Sequence, residues 1–183
     1  MEKFLKEVRI HARAGQGAIT TAALLGEAFF EEDKFAYAFP HFGAARMGAP
    51  MNAFVRISDK LVRLRSQVYE PDFIIVVDAT LMRGFDVFKG LKPKGIALLN
   101  TQEEIILPEL KEGRKAYLVP ANKIAQEVLG RPLGNTALLG AFCAASGLVK
   151  LESLNKAIKN RFSGKVVEQN IEAAKRGYSC INK

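Results

Sequence analysis

Residues 12–26 read ARAGQGAITTAALLG, and this stretch predicts how the fold begins. An alternating apolar pattern over residues 8–12 comes before it and is typical of a strand. Two glycines then flank Gln16, and residues 18–30 follow with helical content and apolar side chains on one face. Strand, glycine loop and helix in this order are typical of the first unit of an α/β sheet.

Strand and helix patterns alternate along the middle of the chain. Residues 73–77 are apolar throughout, which is typical of a strand buried on both faces of a parallel sheet. Further strands are predicted at residues 35–39 (ending at Pro40), 52–57, 62–65 (with Arg63 and Arg65 on one face), 95–99 and 116–119. Helices are predicted at residues 100–110, 122–129, 137–146 (capped by Asn135 or Thr136), after a cap at Ser153, and at 166–175 up to a stop at Gly177.

This alternation predicts the fold class. We expect an α/β chain with a Rossmann-like open, largely parallel sheet, helices on both faces and a helical C-terminal third. Because no internal repeat or low-complexity segment interrupts the pattern, we expect residues 1–183 to form a single domain. Ligands of such sheets lie outside the carboxyl ends of the strands. The glycine loop, Asp78 and Asn100 each follow a predicted strand and should meet there, although Asp78 and Asn100 would serve equally well as helix N-caps.

Composition and charge argue against several classes of protein. Of the 183 residues, 49% are hydrophobic and 25% are charged, which is typical of a globular protein. The apolar runs are far shorter than the roughly 18 residues of a membrane helix, and the opening MEKFLKEVRI lacks the pattern of a secretory signal. We therefore expect a cytoplasmic protein without a membrane span. The net charge of +8 favours anionic partners, but the aromatic patterns of RNA-binding modules are missing, so we expect no nucleic acid.

The cysteines and histidines offer little for metal or nucleophilic chemistry. Cys143 and Cys180 are the only cysteines and lack a C-x-x-C spacing, so the chain cannot assemble an iron-sulfur cluster or a structural zinc site alone. His11 and His41 form no H-x-x-x-H pair, and no G-x-S-x-G segment provides a serine nucleophile. We interpret His11, which lies in a strand pattern, as a packed structural histidine. We therefore predict no catalytic residue and no metal ligand in this chain.

The loop at residues 15–17 has two interpretations. It lies where a Rossmann phosphate loop would lie, and backbone N–H groups at a helix N-terminus can hold an anion. However, Thr20 stands where the third glycine of G-x-G-x-x-G belongs, and no acidic residue clearly ends the second strand, so NAD binding is poorly supported. The alternative is a close turn that lets the helix pack on the sheet.

A second loop carries further candidate binding residues. Residues 39–50 read FPHFGAARMGAP and combine two phenylalanines, two glycines, His41 and Arg46. Long irregular segments inside compact domains are uncommon unless they have a role. We therefore favour a binding loop over a passive connection.

Five segments of the chain form a recognisable set. They are AGQG at residues 14–17, FPHFGAARMGAP at 39–50, AFVRIS at 53–58, RSQVYEPDFIIVVDATL at 65–81 and NTALLGA at 135–141. Together they resemble the gamma subunit of 2-oxoacid:ferredoxin oxidoreductases, in order and along nearly the whole chain. Two departures from the family pattern are Ala14, where glycine is usual, and Ala44-Ala45, where Pro-Glu is common.

This resemblance implies one part of a multi-subunit enzyme of anaerobic metabolism. Such an enzyme decarboxylates a 2-oxoacid, with pyruvate as our first choice, on thiamine diphosphate, passes two electrons through iron-sulfur clusters to ferredoxin, and forms an acyl-CoA. The resemblance implies that alpha, beta and delta subunits hold the thiamine diphosphate and the clusters. This chain would then be structural, associated with coenzyme A (CoA), and inactive alone.

The predicted CoA site combines the two loops. We expect it to contain Gly15, Gln16, Gly17, His41 and Arg46, while leaving open whether this surface contacts CoA or another subunit. The competing interpretation is a stand-alone Rossmann-like nucleotide-binding regulatory protein, in which the same glycine loop would bind a complete mononucleotide.

Overall fold

The computed structural model describes residues 4–42, 46–101 and 107–181. Within these ranges the chain forms six strands, five α-helices and one 3-10 helix at Ala79–Arg83. The strands are β1 (Leu5–Arg13), β2 (Phe35–Phe42), β3 (Pro50–Ser58), β4 (Phe73–Val76), β5 (Ile96–Asn100) and β6 (Lys115–Val119). The α-helices are α1 (Ala18–Phe30), α2 (Ala121–Leu129), α3 (Asn135–Ser146), α4 (Leu151–Arg161) and α5 (Lys165–Ile181).

All six strands belong to one sheet, in the order β2-β3-β1-β4-β5-β6. The neighbours from β1 through β4 and β5 to β6 pair in parallel, whereas β3 pairs antiparallel with both β1 and β2. Parallel neighbours need a long crossover, but β3 follows β2 after a short connection and can therefore turn straight back beside it. The prediction of an α/β fold with an open, mostly parallel, Rossmann-like sheet is confirmed.

The two faces of the sheet are covered differently. On one face, Ile10 and its neighbours form a large buried cluster to which all five α-helices contribute side chains. On the other face, Ile74 and Val76 pack against Leu81 of the 3-10 helix and against residues 84–95. That connection contains three glycines and a proline, which disfavour an α-helix. The helices predicted on both faces are therefore unevenly distributed. In the described part of the chain, all five α-helices pack on the first face and only the short 3-10 helix packs on the second.

Predicted element ends differ from the structure where side chains or sheet position override the local pattern. Strand β2 continues through Pro40 to Phe42, because β2 is an edge strand and tolerates a residue without a backbone N–H. The predicted helix at residues 100–110 is wrong at both ends, since Asn100 ends β5 and residues 107–110 have no regular structure. Residues 102–106 lie outside the described part of the chain.

The strand predicted at residues 62–65 is also wrong. Both Arg63 and Arg65 are exposed, and Arg65 stacks over the Tyr37 ring at 3.9 Å. The buried guanidinium of Arg56 donates to the carbonyls of Leu64 at 3.3 Å and Ser66 at 2.6 Å. A side chain, rather than a neighbouring strand, therefore satisfies these backbone groups.

Gly177 does not end the last helix, which runs on to Ile181. A Cβ at Gly177 would overlap the carbonyl oxygen of Ala137 on α3, and a Cβ at Gly140 would overlap that of Ala174 on α5. The two glycines thus let the backbones of α3 and α5 approach each other closely. This packing gain offsets the roughly 1 kcal/mol that a glycine costs inside a helix.

The caps predicted for α3 and α4 are wrong as well. Helix α4 begins at Leu151, and Ser153 instead donates its hydroxyl to Glu32 at 2.8 Å. Helix α3 begins at Asn135 with no side-chain cap, and Thr136 donates to Asn170 inside the protein.

Among the described helices, none has the length and apolar character that a bilayer crossing requires.

Candidate functional site

The glycine loop connects the carboxyl end of β1 to the first residue of α1. Gly15 has φ +95° and Gly17 has φ +78°, a region that side-chain-bearing residues rarely adopt. Gly17 is the N-cap residue of α1, and no side chain in the described residues makes a cap hydrogen bond to this helix end. The loop is therefore a close turn, and it also presents the N-terminus of α1, where backbone N–H groups favour an anion.

Gln16 is turned into the protein. Its Oε1 accepts a hydrogen bond from the Arg13 backbone N–H at 2.7 Å, and its Nε2 donates to Asp78 Oδ2 at 2.9 Å. The carbonyl of Gln16 accepts from Asn135 Nδ2, also at 2.9 Å. Both polar atoms of the Gln16 side chain therefore have protein partners.

Asp78 follows β4 and accepts hydrogen bonds from several sides. Arg13 Nε donates to its Oδ2 at 3.0 Å, while the Thr80 backbone N–H and hydroxyl donate to its Oδ1 at 3.0 and 2.6 Å. Partial burial alone would raise the pKa of Asp78, but the hydrogen bonds from Thr80 and Gln16 and the charge of Arg13 outweigh it, so its pKa is lowered. Asp78 is thus a carboxylate at neutral pH, and it also caps the 3-10 helix.

The end of the second loop packs directly on the glycine loop. Ala14 donates its backbone N–H to the Ala49 carbonyl at 2.8 Å and accepts from the Gly48 N–H at 3.0 Å. Met47 is 86% exposed and lies so close to Gly15 that a Cβ there would overlap its sulfur. Arg46 is also exposed in this segment. The structure therefore brings residues 15–17 and Arg46 to neighbouring positions, while residues 43–45 lie outside the described part of the chain.

Asn100 lies at the end of β5, the parallel neighbour of β4. Its Nδ2 donates to the Val77 carbonyl at 2.9 Å, and its Oδ1 accepts from the Asn122 N–H in the first turn of α2 at 3.0 Å. Asn100 is therefore not the N-cap of a helix that directly follows its strand; it joins the first turn of α2, whose N-cap residue is Pro120, to the residue before Asp78. The expectation that the loop, Asp78 and Asn100 gather at the carboxyl ends of parallel strands is confirmed.

His41 lies elsewhere, in an open groove of about 590 Å³ on the face opposite the five described α-helices. Its Nε2 is 2.9 Å from the Nε2 of Gln67. The exposed rings of Tyr69 and Phe85 also line this groove, but residues 15–17 do not. The structure therefore does not place His41 beside the glycine loop, because β2 continues past Pro40 and orients it toward Gln67.

His11 lies at the floor of the same groove and is structural. Its Nε2 accepts from Arg9 Nε at 3.0 Å. Burial first, and then the charge of Arg9, lower the pKa of His11 to about 3, against weaker opposing hydrogen bonds that the ring donates to the Val87 backbone and the Asn52 side chain. Arg9 in turn donates to the carbonyls of Val87 and Lys89. His11 therefore stays neutral and holds Arg9, as expected for a packed histidine.

Residues 7–180 match the protein family described as pyruvate ferredoxin/flavodoxin oxidoreductase. The chain belongs to this family.

Relatives of full length identify the type of family chain. The "pyruvate/ketoisovalerate oxidoreductases common subunit gamma" of Pyrococcus furiosus is 49% identical over 94% of this chain and 95% of its own. The "pyruvate synthase subunit PorC" of Methanocaldococcus jannaschii is 47% identical with the same coverage. The crystal structure of subunit PORC of pyruvate oxidoreductase from Thermotoga maritima is 36% identical, superimposes with a TM-score of 0.83 and covers 97% of both chains. The chain is therefore a gamma-type (PorC) chain of the family.

A more distant solved structure shares the fold of this gamma-type chain. The 2-oxoglutarate:ferredoxin oxidoreductase from Magnetococcus marinus matches 99% of this chain but only 32% of its own length, with 20% identity and a TM-score of 0.79. The alternative of a stand-alone regulatory protein finds no support, since the Pyrococcus, Methanocaldococcus and Thermotoga proteins are all named as subunits.

Sequence reasoning about the gamma-type chain missed Arg13 and Thr80. Arg13 adjoins the loop, but its guanidinium bridges to Asp78 and to the Thr80 hydroxyl at 3.1 Å, on a segment 67 residues away. The one feature of the sequence that could have indicated these two residues was the position of Asp78 after a strand that we expected to be buried.

In the described residues, no group of three histidine, cysteine, aspartate or glutamate side chains could hold a metal ion. Burial raises the pKa of Cys143 to about 12, so its thiol is inert.

Proposed function

We propose that this gamma-type chain assembles with alpha, beta and delta subunits into a 2-oxoacid:ferredoxin oxidoreductase. The complex converts pyruvate and CoA into acetyl-CoA and CO₂, and the two electrons released pass to ferredoxin. Thiamine diphosphate and the iron-sulfur clusters are held by the partner subunits. The length and identity of the relatives support this assignment, since the pyruvate and ketoisovalerate enzymes of Pyrococcus furiosus have a gamma subunit of matching length.

Within that complex, the proposed role of this chain is to contact CoA. The observation that carries it is the pairing of two features at the carboxyl end of β1: the N-terminus of α1, which has no side-chain cap, and the exposed Arg46 on the segment packed against Ala14 and Gly15. CoA carries phosphate groups, and backbone N–H groups beside an arginine suit phosphates. The contribution predicted for His41 stays a prediction, because its imidazole lies in the separate groove.

Reconstitution with and without this chain tests the assembly. The chain is co-expressed with alpha, beta and delta subunits of such an oxidoreductase, and pyruvate-dependent ferredoxin reduction is measured at increasing CoA. We expect the complete complex to be active and the preparation without this chain to lose most of that activity. Equal activity and an equal KM for CoA without the chain would contradict the proposal.

Substitution of Arg46 tests the CoA contact. In the assembled complex, Arg46→Ala removes one charged phosphate partner, so we expect KM for CoA to rise about tenfold while KM for pyruvate is unchanged. Arg63→Ala is the matched control, because Arg63 is also exposed but lies in the irregular segment before the groove. An unchanged KM for CoA in Arg46→Ala would count against this residue as a CoA ligand.

A further inference from the structure

The inward orientation of Gln16 is not explained by a contact with CoA. A glutamine that reaches for a ligand would leave its amide exposed at the loop surface. Here the amide oxygen accepts from Arg13 and the amide nitrogen donates to Asp78. Both polar atoms of the Gln16 side chain therefore form hydrogen bonds within the protein, beneath the loop.

These contacts close a ring of hydrogen bonds, the Asp78 cluster, made of Arg13, Gln16, Asp78 and Thr80. Arg13 and Gln16 both donate to Oδ2 of Asp78, at 3.0 and 2.9 Å, and Thr80 donates twice to Oδ1. Arg13 closes the ring with a donation from Nη2 to the Thr80 hydroxyl at 3.1 Å. The ring thereby ties the glycine loop after β1 to the segment after β4.

The charge balance of the cluster argues against a direct attraction of ligand. A lone carboxylate beneath an anion site would repel phosphate, but the Arg13 guanidinium lies on Asp78 and compensates its charge. What the cluster supplies is rigidity. Two glycines at positive φ have more backbone freedom to lose than any other residues, and a loop that must be ordered at binding lowers affinity.

We propose that Asp78 fixes the glycine loop in its binding conformation, and that Gln16 is a positioning residue that acts through Asp78 instead of touching CoA. This inference rests on the proposed CoA contact of the loop. It predicts that loss of either partner has the same consequence, since each change opens the same ring.

A double-mutant cycle in the assembled complex tests the inference. The variants are Gln16→Ala, Asp78→Asn and the two combined, and the measurements are kcat, KM for CoA and KM for pyruvate. Asp78→Asn keeps the shape of the side chain but replaces one acceptor oxygen by a donor, so it cannot accept from Gln16, Arg13 and Thr80 together. Asp72→Asn is the matched control, because Asp72 is an equally paired aspartate at the opposite end of β4.

We expect each single variant to raise KM for CoA about tenfold with little change in kcat, and the combined variant also to raise it about tenfold rather than about a hundredfold. Asp72→Asn should leave KM for CoA unchanged. A hundredfold rise in the combined variant would show independent contributions and would overturn the role of Gln16 as a positioning residue.

Hydrogen exchange of residues 13–18 in the same complexes, without CoA, separates this inference from the proposed function. We expect faster amide exchange there in Gln16→Ala and Asp78→Asn. Unchanged exchange would overturn the inference whatever the kinetics show. Faster exchange with an unchanged KM for CoA would instead confirm that Asp78 holds the loop and refute the CoA contact on which the proposed function relies.

Discussion

An aspartate lies at each end of the parallel strands β1 and β4, but the hydrogen bonds to these two aspartates serve different purposes. At the amino end, Asp72 accepts from Lys6 at 3.2 Å and Lys92 at 3.0 Å, and Glu7 pairs with Arg56 at 2.7 Å. Arg56 is only 1% exposed. The amino ends of β1 and β4 therefore carry a dense network of paired charges.

At the carboxyl end, hydrogen bonds to Asp78 hold a loop whose outer surface stays exposed. Gly15 and Arg46 are exposed there, and the N-terminus of α1 has no side-chain cap. We interpret the difference as follows: charge pairing at the amino end stabilises the fold, whereas charge pairing around Asp78 at the carboxyl end holds the exposed surface of the glycine loop in shape. We therefore expect substitutions at the amino end of β1 to lower stability, and substitutions at its carboxyl end to weaken CoA binding.

The largest effect is expected at the amino end. Arg56→Met removes the 1% exposed partner of the 14% exposed Glu7 carboxylate, which keeps only Lys92 at 3.6 Å, and it also removes the donor to the carbonyls of Leu64, Ser66 and Gln67. We expect the free energy of unfolding of the full chain to fall by about 3 to 5 kcal/mol in urea titrations. Arg63→Met, at an exposed site, is the control. A loss below about 1 kcal/mol would remove the contrast between the two ends.

An intermediate effect is expected at His11, two residues before the end of β1, and it depends on pH. The pKa of His11 is about 3 in the folded chain and near 6.5 when unfolded, so between these values the unfolded chain binds the additional proton. Stability is therefore fully present above pH 6.5 and falls as the pH is lowered toward 3. Relative to His11→Gln, the wild-type chain should lose about 2 kcal/mol more between pH 7 and pH 5. Parallel pH profiles of the two proteins would contradict a buried neutral His11.

The smallest effect on stability is expected at the carboxyl end. The Asp78 side chain is 15% exposed and its partner Arg13 is 34% exposed, so Asp78→Asn removes hydrogen bonds but leaves no fully buried charge, and we expect a loss of only about 1 kcal/mol in the same urea titrations. The pKa of Asp78 is lowered in the folded chain, so this contribution is present above pH 3.8 and is lost as the pH falls further. A loss as large as that of Arg56→Met would make the two ends equivalent.

Local patterns were enough to predict much of the site. The glycine loop between a strand and a helix, and the positions of Asp78 and Asn100 after strands, follow from apolar periodicity and turn residues that act over a few positions. The parallel arrangement of those strands then brings their carboxyl ends together without further information.

Features that depend on contacts distant in the sequence could not be predicted. Gln16 turns inward because Asp78, 62 residues later, lies beside it across β1 and β4. Gly177 has the local signature of a helix stop, and only the neighbouring backbone of Ala137 explains why the helix continues with a glycine inside it. His41 was expected beside the loop, but the edge position of β2 allows the strand to continue through Pro40.

Hydrogen exchange of the assembled complex with and without CoA tests the proposed role of the carboxyl end most directly. With CoA bound, amide exchange should slow at residues 14–20 and 46–50, and it should stay unchanged at the amino end around Asp72 and in the groove at residues 84–89. Slower exchange in the groove with no change at residues 14–20 would contradict a CoA contact at the glycine loop.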